Sequence, residues 1–223
     1  MTLFVLILLP IVLTLGVWQL SRGAEKRALE SDYLDRLTSL PVQAAEFDPN
    51  VRFQRVKLSG EFQQQIFLVD NQVLNGKIGY WVLQLFNEAQ GSRFIVNRGF
   101  LAAQARRDQL PEVPLVEGRV ELVGVVWPYT GLIPVLDDDP WPQTWPKRVQ
   151  RLDIKRMAQL LSAEPVEVRL EPGQAGVLQA APFAQVLSDA KHRGYAATWF
   201  GLAITLLVGY LYLGIRNARE NDK

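Results

Sequence analysis

Two stretches of this chain, residues 1–21 and 194–215, contain no Asp, Glu, Lys or Arg. Each is about the ~20 residues needed to cross a bilayer core. Leu, Ile and Val dominate both. A backbone in lipid must satisfy its hydrogen bonds internally, so both read as helices. Trp18 closes the first stretch; Tyr195 and Trp199 open the second, and Tyr210 and Tyr212 close it. Amphipathic rings at these depths fit the interfacial aromatic belts. Pro10 lies inside the first span, where a kink is expected and membrane helices tolerate one. A cleaved signal peptide is the competing reading of 1–21. It needs a basic N-terminal region and a small-residue cleavage site. No basic residue precedes Arg22, and Ser21-Arg22-Gly23-Ala24 is a poor site. The expected layout is therefore a first span at 1–21, a polar domain at 22–193, a second span at 194–215 and a tail at 216–223.

Composition narrows the function. There are 24 Lys+Arg against 23 Asp+Glu, and the basic residues are scattered. Nucleic-acid binding, which needs clustered positive charge, is not expected. With no cysteine, disulfides, iron–sulfur clusters and thiolate zinc sites are excluded. Charge does not settle orientation. Arg216, Arg219 and Lys223 favour a cytoplasmic C-terminus, while Arg22, Lys26, Arg27 and Arg36 pull the domain inward too. The positive-inside rule weakens for long translocated domains, so the domain is expected outside, with both termini on one side. The first span has no N-terminal flank, and the natural start is expected to lie upstream of Met1.

Between the spans the hydrophobic period changes. Residues 25–40 continue the first helix, stopped by Pro41. Strands are expected at 53–62, 65–70, 80–86, 93–96, 116–127, 148–152 and 166–170. Asn75-Gly76 marks a tight turn, Gln90-Gly91 joins the next pair, and Gly118 and Gly124 are candidate bulges. Short helices are expected at 102–109 and 154–161. The fold class is a membrane α+β protein. Two transmembrane helices flank a mostly antiparallel β domain with a few short helices, its twisted sheet closing toward a barrel. Residues 128–146 carry five prolines, Trp141, Trp145 and Asp137-Asp138-Asp139. They read as a long loop, either functional or folded back as a lid over the sheet.

Catalytic signatures are lacking. There is no Gly-rich phosphate loop, no Gly-x-Ser-x-Gly elbow and no His-Glu-x-x-His. Asp137–Asp139 match no EF-hand spacing. The single histidine, His192, lies near Ser188 and Asp189, but neighbours on one helical face do not supply a nucleophile, base and oxyanion hole. No enzyme is expected. Neutral imidazole is a common metal and haem ligand, and His192 stands just before the second span, with Tyr195 and Trp199 at i+3 and i+7. A histidine bordering a membrane helix without special role is the alternative.

Four groups of residues then coincide in order. They are Gly16-Val17-Trp18-Gln19-Leu20-Ser21-Arg22 with Lys26; Phe53-Gln54-Arg55-Val56 through Gly60-Glu61-Phe62; Val96-Asn97-Arg98-Gly99-Phe100; and Lys191-His192, Tyr195-Ala196 and Thr198-Trp199-Phe200-Gly201-Leu202-Ala203. From about residue 13 to 216 the chain resembles the surfeit-locus family of cytochrome c oxidase assembly factors. One departure is Phe100, where the family usually has tryptophan. The resemblance implies a bacterial inner-membrane protein with its central domain in the periplasm. It implies help in placing haem a into subunit I, the catalytic subunit of the oxidase, with haem A synthase as a further candidate partner. It also implies His192 as haem-iron ligand. Asp189, one turn earlier, is expected to accept the other imidazole proton, and Tyr195 and Trp199 to line the cofactor. The alternative function is a haem-free scaffold that docks on an assembly intermediate, using Arg98 and the tryptophan loop as contact surface. Arg98 paired with a carboxylate inside the domain is the competing reading of that residue.

Overall fold

The computed structural model describes residues 2–106, 109–128, 140–180 and 188–221. The element order is α1 (Thr2–Leu37), β1 (Val42–Gln43), a 3₁₀ turn (Ala44–Glu46), β2 (Arg55–Leu74), β3 (Lys77–Glu88), β4 (Arg93–Ala102), β5 (Val120–Trp127), β6 (Lys147–Val149), α2 (Ile154–Leu161), β7 (Glu167–Leu170) and α3 (Ala190–Asn221). Two compact units result. One joins Met1–Ser31 to Pro182–Lys223; the other is Asp32–Ala181.

The first unit is a pair of long helices. α1 has 36 residues and runs unbroken through Pro10. At 1.5 Å per residue that is about 54 Å, well beyond the ~30 Å hydrocarbon core. Both helices are long and apolar enough to cross a membrane. Their apolar side chains face outward; Leu6 is 66% exposed and Val208 59%. A soluble core helix would bury such residues, so lipid is the solvent that suits them. With no hydrophobic drive between helices in lipid, close packing of small residues must hold the pair. Gly16 faces Phe200 so closely that an added Cβ would lie 2.8 Å from its ring, and Ala196 and Ala203 are buried.

The second unit is a closed barrel. β2, β3, β4, β7 and β5 pair in that order, and β5 pairs back to β2. The β2–β3, β3–β4, β2–β5 and β5–β7 pairings are antiparallel. Three short pairings, β1–β2, β2–β6 and β4–β7, are parallel. The sheet is thus mixed, with the long ladders antiparallel as expected. The barrel interior is filled by Val56, Leu58, Phe86, Phe94, Val96, Leu122 and Val168. On another face Phe67, Leu83, Leu85 and Ile95 pack against Ile154, Met157 and Leu161 of α2. α2 forms where expected, and Asp153 caps it by accepting from the Arg156 amide at 3.1 Å.

Several expected boundaries move. The strands expected at 53–62 and 65–70 are one 20-residue strand, β2. Its register shifts between Phe62 and Ile66, and that bulge bends one strand from the barrel wall into a second ladder with β6. The helix expected at 102–109 is absent over the described part. β4 instead runs to Ala102, because Phe100, Leu101 and Ala102 pair with β3, and ladder pairing outweighs local helical pattern. β5 begins at Val120 rather than 116, since Gly118 turns the chain with φ +73°. Gly124 is no bulge: the β2–β5 register is unbroken across it. It is a close approach instead, where an added Cβ would lie 2.5 Å from Val168 Cγ1. Asn75-Gly76 does make the tight turn, both at positive φ.

Asp137–Asp139 lie outside the described residues. Trp141 and Trp145 do fold back: both meet Phe67 edge-on, at 5.2 and 5.1 Å. Arg156 of α2 lies 3.9 Å over the Trp141 ring. The tryptophans therefore cover the β2–β6 face.

Gly60 is the tightest point of the barrel. An added Cβ would sit 2.0 Å from the Asn87 carbonyl oxygen. Gly60→Ala must push β2 from β3, so a loss of roughly 1–3 kcal/mol is expected, read as a lower midpoint in thermal unfolding. An unchanged midpoint would show that this ladder yields freely.

Candidate functional site

Two of the four residue groups singled out in the sequence, 53–62 and 96–100, resolve into barrel architecture. Phe53 is fully buried and stacks edge-on with Tyr33 and Trp127, at 5.5 and 5.0 Å. Arg55 binds Glu171 through two nitrogens, at 2.6 and 2.9 Å, and donates to the Ser39 carbonyl at 2.8 Å. The hydrogen bond to Glu171 raises the Arg55 pKa further. Gly60 and Phe62 belong to the tight β2–β3 crossing.

The Asn97-Arg98-Gly99 group makes a built-in bulge. In the β3–β4 register Val82 opposes Gly99 and Leu83 opposes Asn97, so Arg98 is the extra residue. Asn97 accepts from the Gly99 amide at 2.9 Å and donates to Glu167 at 2.6 Å. Gly99 has φ +108°, and a Cβ there would lie 2.4 Å from the Gln179 carbonyl oxygen. Arg98 is 1% exposed. It donates to Gln84 Oε1 at 2.5 Å, Gly176 O at 2.7 Å and Pro114 O at 2.8 Å, and lies 5.2 Å from the Phe62 ring centre. These acceptors are neutral, which corrects the expected carboxylate partner. Its burial equally rules out the contact-surface role. Desolvation lowers its pKa to about 10, which leaves it charged at pH 7.

The first and fourth groups lie in the helix pair. Gln19, Gly23 and Arg27 recur every four residues and so share one face of α1. Asp189, just before α3, and His192 in its first turn meet that face. His192 Nδ1 is 2.8 Å from Gln19 Oε1. An amide oxygen only accepts, so Nδ1 is the donor in this contact, and in the neutral imidazole the lone pair then lies on Nε2. Gly23 lies beneath the ring's stem: a Cβ there would be 3.6 Å from His192 Cβ. Asp189 is bound to Arg27 at 2.5 Å. The expected partner of the imidazole is thereby corrected. Gln19, not Asp189, orients the ring, because the opposite charge of Arg27 on the facing helix takes the carboxylate. Ser188 Oγ accepts from the Ala190 amide at 3.3 Å, so it caps the helix and stands in no triad. Tyr195 is 59% exposed. Trp199 lies further along α3 and lines an apolar trough between the helices.

Gln19 was within the residues quoted from the sequence, but nothing local marked it. Its role follows from a contact spanning 173 positions. Among the described residues no group of three or more His, Cys, Asp or Glu converges as a metal site. One imidazole is too small a donor set for a bare ion. It suits a metal whose other positions are already filled, as in a haem.

Fold and site together define a membrane protein in which two candidate spans are joined through a small closed barrel domain. The SURF1 family model matches residues 6–204, and the chain belongs to that family of oxidase assembly factors. A SURF1-like protein of Rickettsia felis is 28% identical, covering 94% of each chain. Surfeit locus protein 1 of Takifugu rubripes is 26% identical, covering 89% of this chain and 90% of its own. That of Xenopus tropicalis is 25% identical, covering 89% of this chain and 71% of its own.

Proposed function

We propose that this chain serves cytochrome c oxidase assembly by binding haem a through His192 and presenting it to subunit I of the oxidase. The observation that carries this reading is the Gln19–His192 hydrogen bond, which engages Nδ1 and so, in the neutral ring, offers an oriented Nε2 lone pair to a metal. Metal-ligating histidines characteristically hold their second nitrogen this way. A single protein ligand also suits a carrier, since a second strong ligand would slow release. Haem a supplies iron with its equatorial positions filled and a largely apolar body, which explains a site beside lipid. Haem A synthase, acting in the same membrane, is the proposed donor. The cell membrane is the proposed location, with the barrel on the periplasmic side. That side fits the basic Arg216, Arg219 and Lys223 that follow the second apolar stretch in the sequence.

The test is a visible spectrum of detergent-purified protein made with haem a available. A stoichiometric Soret band is expected for the unchanged protein, and its loss in His192→Ala. Haem retained at the unchanged level in His192→Ala would overturn the ligand assignment. Absence of the band from the unchanged protein would favour the haem-free scaffold.

A further inference from the structure

The trough between the two helices begins on the same seam as the histidine. On α3, His192, Trp199, Leu206 and Leu213 recur every seven residues; on α1, Gln19, Val12 and Val5 do the same. A seven-residue repeat keeps one stripe of each helix against its partner. Phe4, Leu8 and Val12 of α1 face Trp199, Leu206 and Leu213 of α3 around a space of about 650 Å³. Its length along α3, from Trp199 to Leu213, is about 21 Å, and His192 precedes Trp199 by about 10 Å on the same stripe. The hydroxyls in the lining are already engaged. Thr205 donates to the Gly201 carbonyl at 2.9 Å, and the Tyr210 hydroxyl to Thr2 at 3.4 Å. Long and lined almost wholly by apolar atoms, this space suits an extended hydrocarbon chain.

We propose that this trough is a binding site for a long isoprenoid tail carried by the same molecule whose metal His192 ligates. The proposal rests on the haem reading above and assigns the part of the ligand which that reading leaves unplaced. A ring held at His192 and a tail running along α3 use one continuous seam, with no change of helix face. The trough thereby selects a prenylated haem over a tail-free one. The gain is modest, because the free tail rests in lipid or detergent and not in water. Packing then replaces the hydrophobic term.

The test titrates the full-length detergent-purified protein with haem o and haem b, followed by the Soret band. Haem o carries the isoprenoid tail and lacks the formyl group of haem a, so the comparison isolates the tail. Haem o is expected to bind about tenfold more tightly than haem b, a packing-sized difference. Gly209 lines the trough, and nothing lies within 4 Å of a Cβ built there. Gly209→Trp should fill the space and bring haem o to the haem b affinity, leaving haem b unchanged; the unchanged haem b affinity also shows a folded helix pair. Gly209→Ala should keep most of the preference. Equal affinities in the unchanged protein, or equal losses for both haems in Gly209→Trp, would overturn the tail site while leaving His192 as ligand. Failure of both haems to bind would overturn the haem reading and this proposal with it. Native mass spectrometry gives the last arm. A phospholipid that stays bound after haem o is added would make the trough a lipid site and overturn the proposal.

Discussion

Arg98→Met should lower the thermal midpoint of the barrel by roughly 10 °C, the largest stability effect expected of a single exposed-to-none substitution here. The guanidinium is buried and reaches three acceptors on three separate segments: Gln84 on β3, Pro114 before β5, and Gly176 after β7. Two effects oppose each other. Removing a buried charge relieves desolvation, and hydrophobic replacements of buried ions are sometimes neutral. Against that, three acceptors lose their donor together. Gln84 has little freedom to turn away, because its amide nitrogen donates to the Gln63 carbonyl at 2.6 Å. The Gln84 oxygen is left as a buried orphan at about 1–3 kcal/mol, and the lost bonds to the half-buried Gly176 and the exposed Pro114 add about 0.5–1.5 kcal/mol each, so the sum of roughly 2–6 kcal/mol outweighs the relief. Arg98→Lys should recover only part, because a point charge does not span a three-way fork. Circular dichroism melts of the two variants decide it. A midpoint for Arg98→Met equal to the unchanged protein would show that the fork contributes nothing net.

Gln19→Leu should change the state of the histidine itself. His192 is the chain's one histidine, so the two imidazole nitrogen signals of ¹⁵N-histidine-labelled protein belong to a single residue. In the unchanged protein they should show Nδ1–H and a bare Nε2. Gln19→Leu removes the acceptor 2.8 Å away, and a mixture of tautomers should appear. Haem affinity should fall roughly 10–100-fold, the usual cost of losing the group behind a metal-bound histidine. Gln19→Glu keeps an acceptor and should keep the tautomer. Asp189→Asn, by contrast, breaks only the ion pair with Arg27, itself half exposed. Such pairs contribute about 0–1 kcal/mol, so the histidine signals should barely move. If Gln19→Leu left both tautomer and affinity unchanged, the ring would be held by something other than this contact.

Much of the fold was legible because it rests on local signals. Two charge-free runs announced the long helices, alternation announced the strands, and Asn75-Gly76 announced its turn. The errors share one cause. Residues 63–65 resemble a break between strands, yet the neighbouring strand holds β2 together across its bulge. Residues 102–109 resemble a helix, yet their first part is captured by pairing with β3. In each case a partner distant in sequence outweighed local preference.

The site divides along the same line. Its residue types are written in the sequence: one histidine, placed at the edge of a long apolar run, in a chain without cysteine. That alone excluded thiolate ligands and left a single imidazole. Which group orients the imidazole was decided only by the packing of α3 on α1. Asp189 is three residues from His192 and was the natural partner along one helix. Arg27 draws it away, and Gln19 takes its place from the opposite helix. Likewise the Asn97-Arg98-Gly99 run signalled importance, but only the bulge turned Arg98 inward onto neutral acceptors. Sequence fixes which groups exist and where apolar stretches force helices. Tertiary structure decides which of those groups meet, because hydrogen bonds act over about 3 Å and the chain separations they close exceed a hundred residues.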